Sequence, residues 1–150
     1  MVRENALFAG EGTGHYYFRD FFFADSGILP SLIVMEMLSK KGATLSDLLK
    51  PLESTYFVSG EINTRISEDP KAKMEEIAAT FGKAGAVEWM DGVSITFGDF
   101  SVPSSSGHRW RFNVRPSNTE PLLRLNVEAT SRELMERKRD AVLKVIQRGG

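Results

Sequence analysis

Arg115, Ser117, Asn118, Thr119 and Arg124 fall within one ten-residue run, Arg115-Pro116-Ser117-Asn118-Thr119-Glu120-Pro121-Leu122-Leu123-Arg124. Their combined chemistry is that of an anion cradle. The three short side chains can donate hydrogen bonds, and N–H groups of the loop can join them. Guanidinium forks at either end match phosphate oxygens better than lysines would. Two prolines stiffen the backbone between them. By composition alone the run reads equally well as a polar hairpin connection with arginines on its solvated faces.

A second cluster lies far upstream, in Gly10-Glu11-Gly12-Thr13-Gly14-His15. Three glycines in five residues allow positive φ and close approach of backbone to a ligand. Glu11, Thr13 and His15 alternate with them and can project to one side. A carboxylate accepts hydrogen bonds from two neighbouring hydroxyls, which suits a sugar diol, and Thr13 and His15 add donors. His15 titrates near neutrality and can carry a proton. Alone, this is a glycine-rich turn. Its spacing and its lack of lysine exclude a dinucleotide or Walker-type loop.

Taken together, the two runs resemble the α-D-phosphohexomutases, the family of phosphomannomutase, phosphoglucomutase and phosphoglucosamine mutase. Residues 115–125 are similar, nearly residue for residue, to that family's phosphate-binding loop, R-x-S-x-T-E-P followed by a strand. Residues 10–15 look like its sugar-recognition motif, G-E-x-S-G-H, with Thr13 where the family usually has serine. The hydroxyl survives and a methyl is added.

The resemblance implies interconversion of hexose 6-phosphate and hexose 1-phosphate. A phosphoserine donates its phosphoryl group, and Mg²⁺ held by aspartates stabilises the charge in transfer. Glu11 and Thr13 would hold sugar hydroxyls, and His15 would act near the proton transfers. Arg115, Ser117, Asn118 and Thr119 would grip the phosphate not being transferred, with Arg124 beside them. The family's serine loop, T-A-S-H-N-P, and its metal loop, D-G-D-x-D-R, have no counterpart here. The chain therefore resembles the C-terminal portion of such an enzyme, expected to bind and not turn over by itself. Mg²⁺ is expected in the complete enzyme and no metal ligand in this chain. The expected partners are a hexose phosphate or phosphate ion, the missing N-terminal mutase domains and a second copy of the chain. The alternative is a stand-alone, non-catalytic sugar-phosphate-binding or scaffolding protein.

Elements must be found to position these residues. At 150 residues the chain is long enough to bury a real core. Its 19 basic and 20 acidic residues nearly cancel, so nothing points to nucleic acid or a membrane surface as partner. The absence of cysteine excludes disulfides, thiolate metal sites and a cysteine nucleophile. The longest apolar run, residues 28–38, is broken by Pro30, Ser31 and Glu36 and is too short to span a bilayer. No signal-peptide core is visible near Met1, and a cytoplasmic protein is expected.

Residues 6–9 read as a short strand. Asp25 and Ser26 are N-cap candidates for a helix over 27–39 that is apolar on nearly every side, as suits a helix lying against a sheet. Thr44 caps a second helix over 45–50, and Pro51 opens a new segment. Residues 55–66 form a strand kinked at Gly60. Asp69-Pro70 starts a helix ending near Phe81. Strands over 87–90 and 93–97 are joined through the hairpin dipeptide Asp91-Gly92. Residues 98–107 are a serine-rich excursion. Strands over 109–114 and 122–128 flank the phosphate loop, and a helix over 132–147 closes the chain. The fold class is α+β, a largely antiparallel sheet covered by helices on one face. Residues 1–50 would be the remnant of a preceding α/β sugar-binding domain, and residues 51–150 the C-terminal phosphate-binding domain.

Overall fold

A computed structural model describes residues 1–11, 14–100 and 108–148. Thr13 and most of the serine-rich excursion lie outside the described residues. The chain forms two compact units, Met1–Lys50 and Pro51–Gly150.

In the first unit, β1 (Phe8–Gly10) pairs antiparallel with β2 (Tyr16–Phe18), Gly10 opposite Tyr16. The connecting turn is closed by the Glu11 N–H on the His15 carbonyl at 2.9 Å and the Gly14 N–H on the Glu11 carbonyl at 3.0 Å. Phe22 and Phe23, both in the left-handed region, turn the chain back so that Asp25 bridges to Tyr17. α1 (Ile28–Lys41) follows. Ser26 supplies its cap, accepting from the Leu29 N–H at 3.2 Å, whereas Asp25 is drawn off to His15.

Helix α1 buries no residue, although its composition suits a covered helix. Ile28 is 73% exposed and Met35 54%, because β1 and β2 are too short to cover it. α2 (Leu45–Glu53) begins at a reciprocal cap between Thr44 and Asp47. It runs through Pro51 rather than stopping at Lys50. Proline removes only the bond to the Asp47 carbonyl, and the Pro51 carbonyl is then taken by the hydroxyls of Ser54 and Thr55 at 3.1 and 2.7 Å.

The second unit is an antiparallel sheet with two helices. The edge segment is two short strands, β3 (Phe57–Val58) and β4 (Ile62–Arg65), split where Gly60 takes φ 69. α3 (Pro70–Phe81) starts as expected, the Asp69 carboxylate accepting from the Ala72 N–H at 2.9 Å. Then come β5 (Ala86–Glu88), β6 (Val93–Phe97), β7 (Trp110–Pro116), β8 (Leu122–Ala129) and α4 (Arg132–Ile146), the last capped by Ser131. The strand order is β3-β8-β7-β6-β5, with β4 also on β8. β5 stops at Glu88, paired with Ser94, so Trp89, Met90, Asp91 and Gly92 form a wider connection than a two-residue turn.

Strand alternation divides the sheet into two faces. Val93, Ile95, Trp110, Phe112, Val114, Leu123, Leu125 and Val127 are buried against Met74 and Ile77 of α3 and Leu134, Val142 and Ile146 of α4. The Lys73 ammonium is buried too, bonded to Glu76 at 2.8 Å, Glu68 at 2.9 Å and the Arg148 carbonyl at 2.6 Å. Those carboxylates raise its pKa against the opposing effect of burial. The opposite face is polar and carries Arg115 and Arg124. No helix among the described residues is long and apolar enough to cross a membrane.

Candidate functional site

The β7–β8 hairpin sets the geometry of residues 115–124. Arg115 and Arg124 are cross-strand partners, so their side chains leave the same face as neighbours. The Ser117 N–H bonds to the Leu122 carbonyl at 3.0 Å and the Leu122 N–H to the Glu120 carbonyl at 2.8 Å, which folds the loop back on the hairpin. Arg124 Nη2 donates to Ser117 Oγ at 3.4 Å. Arg115 Nη1 donates to Asp91 at 3.3 Å, and its Nη2 donates to Glu61 at 3.2 Å. Glu61 also lies 3.5 Å from Arg124 Nη1. Arg124 Nε is buried and has no acceptor among the described residues.

Ser117 is half-buried, while Asn118 and Thr119 are exposed at the loop tip. Arg124, on the face opposite the core, is 30% exposed and stands beside Arg115. Two residues along the sheet, Asn113 faces Asn126, and beyond them Arg111 grips Glu128 at 2.6 and 2.8 Å. A groove of about 490 Å³ runs over these rows, with Ser94 and Thr96 on its far side.

In the first unit, His15 Nδ1 lies 2.7 Å from Asp25 Oδ2, and Asp25 Oδ1 accepts from the Tyr16 N–H at 3.1 Å. The bond to Asp25 raises the His15 pKa, and the same bond lowers that of Asp25. Glu11 accepts from the Tyr17 hydroxyl at 3.2 Å. Partial burial, then that bond to Glu11, pushes the Tyr17 pKa up. Glu11 and His15 thus meet on one turn.

Two family signatures cover almost the whole chain. The C-terminal domain of phosphoglucomutase/phosphomannomutase matches residues 61–145, and its alpha/beta/alpha domain III matches residues 1–56. The chain belongs to the phosphoglucomutase/phosphomannomutase family. A protein of Xanthomonas campestris described as "Phosphohexose mutases" is 43% identical over 129 residues, covering 85% of this chain and 26% of its own length. A phosphomannomutase of Salmonella montevideo is 40% identical over 148 residues, 97% of this chain and 30% of its own. A crystal structure of a phosphoglucomutase/phosphomannomutase family protein from Burkholderia thailandensis superposes with TM-score 0.69 at 26% identity, over 99% of this chain and 30% of that one. The chain thus spans less than a third of the length of these relatives.

Within this phosphoglucomutase/phosphomannomutase portion, four polar residues escaped the sequence reading. Glu61 and Asp91 meet Arg115 from 54 and 24 residues away, which only strand pairing reveals. Tyr17 lies just past the Gly10–His15 run and drew no role from it, and Asp25 looked like a helix cap. The period-2 spacing from His15 to Tyr17 was the available signal for the tyrosine.

Proposed function

We propose that this chain is the sugar-recognising and phosphate-gripping portion of a phosphohexomutase that interconverts hexose 6-phosphate and hexose 1-phosphate. The observation that carries the reading is the convergence of Arg115, Arg124 and the Ser117 hydroxyl at the head of one hairpin. Two guanidiniums lie side by side, and the donors that their contacts with Glu61 and Asp91 leave over suit the oxygens of a phosphate monoester. Asn118 and Thr119, exposed at the tip, would add donors as the anion seats.

On the other unit, Glu11 would accept hydrogen bonds from sugar hydroxyls, its orientation steadied by Tyr17. Thr13 would contribute its hydroxyl. His15 is held by Asp25, whose contact raises its pKa and favours the protonated form, which suits it to proton donation. Magnesium, when bound to a complete mutase, neutralises charge on the moving phosphoryl group. The residues at hand do not fit it, because among the described residues no three His, Asp or Glu side chains converge. Phosphoserine and metal would come from the remaining mutase domains, in a cytoplasmic setting. A stand-alone binding or scaffolding role is the alternative, and no specific contact favours it.

The test is an amide NMR titration of the chain with inorganic phosphate, mannose 1-phosphate and glucose 1-phosphate. Ser117, Asn118 and Thr119 are expected to shift, and Arg115→Ala to weaken binding by about 2 kcal/mol. Silence of these amides to all three ligands overturns the reading. With mannose 1-phosphate, glucose 1,6-bisphosphate and Mg²⁺, the pure chain is expected to show no turnover.

A further inference from the structure

Arg115 and Arg124 are like charges in register on adjacent strands, 28% and 30% exposed. Left to themselves they would repel and splay apart. Glu61 prevents this by dividing its carboxylate between them, Oε2 at 3.2 Å from Arg115 Nη2 and Oε1 at 3.5 Å from Arg124 Nη1. It immediately precedes β4, which pairs with β8 through Asn63 opposite Arg124. The split at Gly60 ends one short strand and starts the chain afresh, so the Glu61 carboxylate reaches over β8 as far as β7.

We propose that Glu61 is a positioning residue of the phosphate site, a clamp that fixes the separation and aim of the two guanidiniums. This rests on reading residues 115–124 as a phosphate loop. The opposite account makes Glu61 a competitor, an internal anion lying where phosphate would bind. The contacts favour the clamp. On Arg124, Glu61 takes Nη1 while the loop hydroxyl of Ser117 takes Nη2, so carboxylate and loop occupy different nitrogens. On Arg115, Glu61 and Asp91 hold one terminal nitrogen each. A guanidinium has five N–H donors, so each arginine keeps N–H groups that these contacts do not use.

The two accounts predict opposite signs, which makes the experiment decisive. The full chain and its Glu61→Gln, Glu61→Ala and Glu61→Asp variants are titrated with inorganic phosphate. Amide spectra show that each variant is folded. Nε–H resonances of Arg115 and Arg124 are recorded without ligand. A clamp predicts weaker binding in Glu61→Gln and Glu61→Ala, by about fivefold or more as for coupled members of one charge network. It also predicts broadened arginine resonances in both and partial recovery in Glu61→Asp. Unchanged or tighter phosphate binding in Glu61→Gln overturns the clamp while the phosphate-loop reading stands. If the unsubstituted chain binds no phosphate, the loop reading falls and the positioning role with it.

Discussion

His15 and Asp25 form a half-exposed pair whose protonation is governed mainly by one 2.7 Å contact. The His15 pKa is raised above 6.5, so its contribution to stability is full below 6.5 and fades as pH rises through the folded-state titration. The Asp25 pKa is lowered from 3.8, so its contribution is present above 3.8 and fades as pH falls through its own titration. Both are charged between those limits, where the pair holds best. Asp25→Asn is expected to move the His15 NMR titration midpoint down toward 6.5; an unmoved midpoint would assign the shift elsewhere. The exposure of both side chains makes the effect fade with added salt. At this scale, legibility follows distance along the chain. Arg115, Ser117 and Arg124 could be grouped by eye because one loop carries them. Glu61 could not, since β4 must first find β8. Asp25 was read as a cap because Asp-Ser before a helix offers two oxygens for one task. Ser26 took the task and left Asp25 to the histidine.

Among elements, two glycines with the same sign of φ separate backbone strain from packing. Gly60, φ 69, has open space where a methyl would stand. Gly92, φ 74, has none, because a methyl there would strike the Val114 carbonyl and the Arg115 Cα. Gly60→Ala is therefore expected to cost about 1 kcal/mol, the left-handed penalty alone. Gly92→Ala should cost clearly more and disturb Arg115, because the β5–β6 connection lies directly on β7. Urea unfolding of both variants checks this, and equal midpoints would contradict it. Asp91-Gly92 was legible as a turn, but its contact with Arg115 was not, because that contact belongs to the neighbouring hairpin. The α3 cap was fully legible, since Asp69, Pro70 and Ala72 act within one turn.

For the whole molecule, the two units differ in how much apolar surface they hide. The described residues of the second unit enclose a core, whereas α1 leaves Ile28, Leu32, Ile33 and Met35 about half exposed or more. A large side chain left wet forgoes about 1.5–3 kcal/mol. Hydrogen exchange is therefore expected to be faster in α1 than in β7 and β8, and sedimentation to show concentration-dependent association through the first unit. A strict monomer with α1 as protected as the β7–β8 hairpin would contradict both. The apolar character of α1 was plain in the sequence. So was the scarcity of strand ahead of it, residues 6–9 and little more.

β8 has two kinds of neighbour, and this gives the second unit an order of assembly. β7 reaches it through a short loop, but β4 must cross α3, β5, β6 and β7 in sequence to find it. Closing that long loop is entropically harder, so the hairpin should organise first and β4 dock late. Val114→Ala is then expected chiefly to slow folding, and Ile62→Val chiefly to hasten unfolding, as stopped-flow chevrons would reveal. Since Glu61 arrives with β4, the two arginines gain their shared carboxylate only at that last step. Phosphate added during refolding should therefore slow unfolding and leave the folding limb almost untouched.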